Sequence, residues 1–272
     1  MRSEAGVSLR SRPAGYSVIL ECLASQQRAT PRSRLGRFLG FRPVHPEASS
    51  WFIGALGEMR VGRLLTTLGQ EWLVLHSVPV GEKSRDIDHV AIGPAGVFTM
   101  NTKHHRGADV WVSPKSLLVA GQRQNYLQAS RSEARDASSR FKGALGADIP
   151  VHPLLVVVGA RKLTIKQKPV DVTVLTELQL LRWLKRQKTV LDEATVAQVK
   201  QLASSARFWH STSDGAVDPA HMATFAALRQ EVSQARRRRI AWASLLAAGL
   251  GAVLVFFGPA LTAALVQGIT GF

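Results

Sequence analysis

The sequence is poor in several residue types that particular protein classes require. It has one cysteine, Cys22, among 272 residues, which excludes an internal disulfide framework and a multi-cysteine zinc site. Gly54 and Gly57 lie in a segment with helical spacing and follow no strand, so they form no dinucleotide-binding loop. Hydrophobic residues make up 46% of the chain, which excludes wholesale disorder.

Charge is missing altogether from the last 33 residues, which contain no Asp, Glu, Lys, Arg or His. A membrane-spanning helix needs about 20 apolar residues, so we predict a transmembrane helix over residues 240–262 and a short tail over 263–272. Four arginines, Arg236 to Arg239, directly precede this stretch. Because arginine-rich flanks stay in the cytoplasm, we expect a single-pass protein of the cell membrane whose large N-terminal domain is cytoplasmic.

Negative charge is scarce everywhere else, with 19 Asp and Glu against 35 Lys and Arg and a formal net charge of +16. Residues 1–49 are rich in Arg, Ser and Pro, so we predict that they are mostly disordered. Loose nucleic-acid binding and the absence of any role are equally open for that segment. Residues 51–190 carry twenty basic and eleven acidic side chains, an excess that favours a polyanionic partner.

Hydrophobic periodicity predicts a mixed α/β domain over residues 50–190 and a helical linker over 191–239. Helical spacing runs over 51–69, and Pro94–Ala95–Gly96 indicates a hairpin between two of the β-like runs. The predicted strands cover 72–80, 87–92, 97–102, 108–112, 117–120, 154–158 and 172–175, and the later helices cover 125–145, 176–188, 192–207 and 218–239.

Three polar residues stand in apolar surroundings and carry the candidate chemistry. Glu58 lies in the first helix, Asp88 lies in a hydrophobic strand, and Lys103 ends the next strand. The hairpin brings Asp88 and Lys103 to the same end of neighbouring strands. Carboxylates hold Mg²⁺ and a lysine stabilises the charge that develops on phosphorus, so the set favours metal-dependent phosphodiester cleavage.

Three motifs in this region resemble the nuclease-related domain (NERD) family, which is similar to the restriction-endonuclease-like superfamily. They are GALGEMRVGRLL (54–65), DIDHVAIGPAGVFTMNTK (86–103) and GQRQNYLQASRSEA (121–134), and the middle motif is the specific one. The resemblance implies a restriction-endonuclease-like αβββαβ core with a mixed central sheet flanked by helices. It also implies a role in DNA processing with Mg²⁺ or Mn²⁺ as cofactor.

The same resemblance assigns roles to individual residues. Glu58 corresponds to the helix-borne acid, Asp88 to the first metal ligand and Lys103 to the catalytic lysine. Asn101 stands where the family has an acid two residues before the lysine. Its carbonyl oxygen is still a metal ligand, but a neutral one contributes less than a carboxylate. A working site, a weak site and a binding module without catalysis are therefore all open.

Further polar residues near these motifs are candidates for nucleic-acid contacts or additional ligands. His104 follows the lysine, Gln124 precedes the polar helix, and Arg131 and Arg135 lie one turn apart in it. A polar residue that opens a loop is the more common explanation of His104, and ion pairs with Glu133 and Asp136 are an alternative explanation of the two arginines. Asp86 shares the face of Asp88 and is either a second ligand or a solvated turn acid.

Two functions from different classes follow from this sequence. The first is a membrane-anchored nuclease that hydrolyses DNA. The excess of basic residues favours a polyanionic substrate, and the resemblance to the nuclease-related family favours DNA over RNA. The second is a catalytically weak or inactive scaffold that binds nucleic acid or protein at the membrane, which Asn101 favours. The sequence leaves the oligomeric state open.

Overall fold

A computed structural model describes residues 8–80, 86–209 and 217–270, with side chains up to residue 258. After a short 3₁₀ turn over Leu9–Ser11, the helices are α1 (Tyr16–Arg28), α2 (Arg34–Leu39), α3 (Pro46–Leu65), α4 (Tyr126–Leu145), α5 (Glu177–Leu184), α6 (Glu193–Ala203), α7 (Ala206–Trp209) and α8 (Pro219–Thr270). The strands are β1 (Leu73–Pro79), β2 (Asp86–Gly93), β3 (Gly96–His104), β4 (Asp109–Val112), β5 (Leu117–Val119), β6 (Gln122–Gln124), β7 (Val151–Val158), β8 (Lys162–Ile165) and β9 (Thr173–Thr176).

The larger of two mixed sheets has the strand order β1-β2-β3-β7-β9. Strands β1, β2 and β3 pair antiparallel, whereas β7 pairs parallel with both β3 and β9. The predicted hairpin joins β2 to β3 through Gly96, whose φ of 111° is accessible to glycine. A mixed α/β architecture, as the hydrophobic pattern predicts, is confirmed.

The predicted strands 108–112 and 117–120 belong to a second sheet of order β6-β5-β4-β8. Two of its strands, β6 and β8, are not indicated by the sequence, because β6 consists of three polar residues and β8 of only four residues. This sheet packs through Val110 and Leu117, together with Leu127 of α4, onto the parallel strand β7. It therefore covers one flank of the larger sheet instead of extending it.

Helices cover both faces of the larger sheet. On one face, Val61 and Leu65 of α3 pack with Phe98 and Met100 of β3 and with α5. On the other face, Phe141 of α4 is fully buried beside β1 and β2. The strand β3 thus runs between α3 and α4, and the side chains at its end are within reach of both helices.

The prediction of disorder over residues 1–49 is wrong for the part that the structure describes. Helix α1 packs on α3, and Ile19 and Cys22 are completely buried with Phe52 of α3 and Phe225 of α8. The arginines and serines of this segment obscure an apolar stripe on α1, which is short but sufficient to dock the helix. Residues 1–7 lie outside the described residues.

The described parts of the segment 191–239, predicted as a linker, also contribute to the folded core. Val199 of α6 and Trp209 of α7 are fully buried against β1, β2 and α4. The indole Nε1 of Trp209 donates a hydrogen bond of 2.8 Å to the carbonyl oxygen of Ala203, which satisfies its buried polar group. These two helices therefore complete the hydrophobic core below the larger sheet.

Helix α8 runs without interruption from Pro219 to Thr270, past the predicted end at residue 262 and through Pro259. Its first part packs on α1 through Phe225 and Leu228, whereas Leu245 to Phe257 expose their large apolar side chains. Within the described residues, the segment Pro219–Gly258 is the one helix long and apolar enough to cross a bilayer, with a best-window mean hydropathy of 2.2. This helix is compatible with membrane anchoring.

A histidine pair couples β1 to β2 and makes stability depend on pH. The Nδ1 atoms of His76 and His89 are 2.8 Å apart, so at least one ring must be neutral. Burial lowers the pKa of His76 from 6.5 to about 4, and burial together with His76 lowers the pKa of His89 well below its ordinary value.

We expect the free energy of unfolding to fall as the pH drops from about 6.5 towards 4. The unfolded histidines bind protons in this range and the folded ones do not, which costs about 2 kcal/mol for each histidine between pH 7 and pH 5. Urea unfolding of the wild type and His76→Leu at both pH values measures the difference and cancels the contributions of other groups. An equal fall in the two proteins would contradict this assignment.

Candidate functional site

A cavity of about 670 Å³ opens where β3 ends, between α3, β2 and α4. All the residues that the sequence predicts for catalysis and metal binding line it. The cavity is lined by the acids Glu58, Asp86, Asp88 and Glu133, by Asn101, Lys103, His104 and His105, and by Tyr126 and Trp51, among others. The arrangement brings carboxylates from two helices and one strand to a lysine on the next strand.

Asp88 is fixed by the strand that follows it in the hairpin. Its Oδ2 atom accepts a hydrogen bond of 2.5 Å from the backbone N–H of Thr102, next to Lys103 on β3. Burial raises the pKa of the Asp88 carboxyl, while the charge of Lys103 and the Thr102 hydrogen bond act in the opposite direction. Pairing of β2 with β3 therefore orients this carboxylate towards the cavity.

Glu58 reaches the cavity because α3 passes very close to the end of β3. A Cβ atom at Gly57 would lie only 2.9 Å from the Cβ of His104, so a larger residue would force the helix away. The Nδ1 atom of His104 lies 2.9 Å from the carbonyl oxygen of Ile53, which ties the strand to the helix. Burial, followed by repulsion from Asp88, raises the pKa of Glu58 well above its ordinary value.

Lys103, the last residue but one of β3, is the basic side chain among these acids. Its Nζ atom lies 5.4 Å from the ring centroid of Tyr126, the first residue of α4, in a cation–π contact. The ammonium group opposes the raised pKa values of Glu58, Asp88 and Glu133. It is therefore a positive charge that faces Glu58, Asp88 and Glu133, whereas Arg12 acts on Asp86.

Glu133 is a site residue that sequence reasoning missed. The amide Nδ2 of Asn101 donates a hydrogen bond of 2.5 Å to Oε1 of Glu133 in the buried interior. Burial, followed by the charge of Asp88, raises the pKa of Glu133 to about 8. The available signal was helical periodicity, because Glu133 shares a buried stripe of α4 with Ser130, Ala137 and Phe141.

Four other sequence candidates lie away from the acids or are already engaged. Gln124 ends β6 in the second sheet and does not line this cavity. Arg131 forms an ion pair of 2.6 Å with Asp171 instead of Glu133, and Arg135 lines the same shallow groove as Arg131. His104 lines the cavity wall, but its ring is engaged in a hydrogen bond with the carbonyl oxygen of Ile53. This contact with α3 accounts for its position.

Asp86 lines the cavity from the start of β2 and is not a solvated turn acid. Burial and the charge of Asp88 raise its pKa to about 6, while Ser17 of α1 forms a hydrogen bond that opposes the shift. The N-terminal helix therefore contributes to the wall of the site. This contact was not expected from the sequence.

The donor set has the chemistry that a hard divalent cation prefers. Four oxygens around the cavity are buried without a hydrogen-bond partner: Glu58 Oε2, Asp86 Oδ2, Asn101 Oδ1 and Glu133 Oε2. Carboxylate and amide oxygens are the ligands of Mg²⁺, and a cation would relieve the repulsion that raises the pKa values of these acids. Among the described residues, no three acidic, histidine or cysteine side chains lie close enough together to hold a metal ion by themselves.

Comparison with known proteins defines the class of this part of the chain. Residues 53–158 match the NERD family, described as a nuclease-related domain, as the three sequence motifs predict. The matched segment runs from α3 to the end of β7 and includes Glu58, Asp88, Asn101, Lys103 and Glu133. No curated protein and no solved structure gives a significant match.

Proposed function

We propose that this protein is a membrane-anchored nuclease that uses Mg²⁺ or Mn²⁺ to hydrolyse phosphodiester bonds of DNA. The observation that carries the proposal is the common cavity at the end of β3, where Glu58 and Asp88 face Lys103 within a nuclease-related domain. The αβββαβ order of α3, β1, β2, β3, α4 and β7 supports a restriction-endonuclease-like core.

In this proposal, Glu58, Asp88 and Asn101 hold the cation through their oxygen atoms. When bound, the cation lowers the pKa of water and polarises the phosphate. The water oxygen forms a bond to phosphorus, the P–O bond to the leaving alkoxide breaks, and the proton of water is transferred to solvent or to a nearby carboxylate. Lys103 stabilises the negative charge that develops on the phosphoryl oxygens.

The test uses the full chain in detergent micelles with plasmid DNA. We expect cleavage in Mg²⁺ or Mn²⁺ and none in EDTA, because the acids cannot polarise phosphate without a cation. Glu58→Gln, purified identically, should cleave at least tenfold more slowly, since one charged ligand is lost. The proposal fails if cleavage is absent, or if it is equal in wild type and variant, which would identify a contaminating nuclease.

The alternative is a scaffold that binds nucleic acid without cleaving it, and Asn101 is the observation that favours it. The described domain keeps an excess of basic residues, which would bind phosphates by releasing counterions. A protein without cleavage but with DNA affinity that falls steeply between 50 and about 200 mM salt would establish this function. An affinity independent of salt would exclude it.

Anchoring through α8, with the domain in the cytoplasm, is part of the proposal. Exposed apolar residues of Leu245 to Phe257 would be costly in water, and Arg236 to Arg239 favour the cytoplasmic side. Retention in the membrane pellet after alkaline extraction, lost on deletion of residues 240–272, tests the anchor. Protease protection of the domain in intact cells tests its orientation.

A further inference from the structure

The acid missing from β3 has a spatial counterpart on α4. Asn101 occupies the strand position two residues before Lys103, and its amide directly contacts the Glu133 carboxylate. Both side chains are more than nine-tenths buried, at 5% and 8% exposure, and each has one oxygen without a hydrogen-bond partner among the described residues. Burying such atoms is unfavourable unless a ligand satisfies them.

We propose that Glu133 is a metal-ligating residue that supplies, from the helix, the negative charge that Asn101 lacks on the strand. Asn101 donates through Nδ2 to Glu133 Oε1, which leaves Asn101 Oδ1 and Glu133 Oε2 for the cation. The proposal rests on the proposed function, because it concerns the cation that this function requires. It predicts that a carboxylate at either position of the pair is sufficient.

A simple structural pairing accounts less well for the same contact. An Asn–Glu hydrogen bond uses only Nδ2 of Asn101 and one carboxylate oxygen of Glu133, so it leaves Asn101 Oδ1 and Glu133 Oε2 unsatisfied inside the protein. Arg131 and Arg135, which lie on the same helix as Glu133, line the groove beside Asp171 and give Glu133 no ion pair. Lys103 and a cation are therefore the charges that this carboxylate faces within the cavity.

The experiment transfers the carboxylate from position 133 to position 101 of the full chain. Mn²⁺ binding is followed by electron paramagnetic resonance for Glu133→Gln, Asn101→Asp/Glu133→Gln and the control Glu177→Gln. Glu177 is buried to a similar extent but pairs with Arg60 at 3.1 Å, outside the site. We expect at least tenfold weaker binding in Glu133→Gln, about wild-type affinity in the double variant, and no change in the control.

The outcomes separate this inference from the proposed function. Equal Mn²⁺ affinity in the wild type and Glu133→Gln overturns the ligand role of Glu133 while the nuclease proposal stands. Failure of the double variant to regain affinity, although its circular dichroism and melting temperature match the wild type, also overturns it. A wild type that binds no Mn²⁺ overturns both proposals.

A second, independent observation concerns α2 and the residues that follow it. They lie beside the beginning of the uncharged stretch of α8, at residue 240. Leu35, Phe38 and Phe41 are 66%, 58% and 53% exposed, although all three are large and apolar. The rings of Phe38 and Trp242 are 4.9 Å apart, and the Trp242 indole donates a hydrogen bond of 3.3 Å to the carbonyl oxygen of Phe38. Helix α2 is thereby fixed beside the start of the apolar stretch.

We infer that this surface, formed by Leu35, Phe38 and Phe41, inserts into the headgroup region of an anionic lipid bilayer. It is continuous with the proposed membrane anchor and is surrounded by exposed arginines of both segments: Arg34, Arg37, Arg42 and Arg236 to Arg239. Exposed apolar side chains bordered by arginines are the combination that binds anionic lipid surfaces. The inference rests on anchoring through α8.

Depth-dependent quenching tests this inference in nanodiscs that contain phosphatidylserine. In a Cys22→Ser background, an NBD label at Leu35→Cys or Phe38→Cys should emit at shorter wavelength and be quenched by brominated lipids. Leu178→Cys on α5 is the control, because Leu178 is 78% exposed and lies on a helix that packs on α3, β7 and β9. We expect its label to remain unquenched.

A blue shift without quenching at positions 35 and 38 would mean that protein covers the surface, and it would overturn the lipid assignment. Labels that stay fully solvated at both positions would overturn it as well. A chain that fails to assemble with the nanodisc would refute the anchor and this inference together. Using both positions guards against loss of the Phe38–Trp242 contact in one variant.

Discussion

Replacing Lys103 by alanine is expected to slow metal-dependent DNA cleavage by 100- to 1,000-fold and to change DNA binding little. The ammonium group lies at the cavity among the acids, where in the proposed function it would stabilise the negative charge that develops on the phosphoryl oxygens in the transition state. Loss of one such preorganised donor costs about 3–4 kcal/mol of transition-state stabilisation. The effect should therefore fall on kcat, with KM changed by no more than about threefold.

Lys166 provides a matched control for Lys103. Its Nζ atom lies 5.2 Å from the ring centroid of Trp111 on the second sheet, an arrangement close to that of Lys103 over Tyr126. Lys166→Ala removes the same charge and a similar cation–π contact away from the cavity. Steady-state kinetics on plasmid DNA should show near wild-type rates for this variant, and equal losses in both would contradict the assigned role.

Replacing Trp209 by alanine is expected to destabilise the fold by about 3–5 kcal/mol. Trp209 is fully buried in the core below the larger sheet, and its ring lies edge-on to those of Phe141 and Phe208 at 5.7 and 5.0 Å. Truncation leaves a cavity, loses these ring contacts and removes the donor to the Ala203 carbonyl. A loss of this size is a large part of the stability of an ordinary domain.

Urea unfolding of the full chain measures this effect, with Trp111→Ala as the comparison. Trp111 is 42% exposed on β4, so its truncation should cost clearly less than that of Trp209. Similar losses in the two variants would mean that α6 and α7 contribute little to the core. The same reasoning predicts that a chain ending at residue 190 does not fold stably, although it contains the whole NERD match.

Much of the larger sheet and half of the site were accessible from the sequence. The run from Ile87 to Lys103 contains two largely apolar strands and an obvious turn, so its hairpin and the polar residues Asp88 and Lys103 stand out. The two acids that lie on helices differ in how easily they are recognised in the sequence. Glu58 is recognisable through its motif, whereas Glu133 lies in a polar helix whose buried stripe consists largely of small residues.

Tertiary packing explains most of what the sequence did not predict. Helix α1 has only a narrow apolar stripe, and its burial depends on partners in α3 and α8 that lie far away in the chain. The same is true of α6 and α7, whose apolar residues acquire meaning only beside β1 and α4. Short strands such as β6 and β8 depend on neighbours in the second sheet. Local patterns cannot encode these long-range contacts.

The unbroken course of α8 has a consequence for where the cavity can operate. Phe225 is buried against the domain, and Ile240 follows about 15 residues later on the same helix, about 22 Å along its axis. With α8 as the proposed anchor, a rigid helix that continues from the domain, unlike a flexible tether, would hold the candidate cavity within a thin layer beneath the bilayer. Nucleic acid in the bulk cytoplasm would remain out of reach, and only strands that come close to the membrane would meet the cavity.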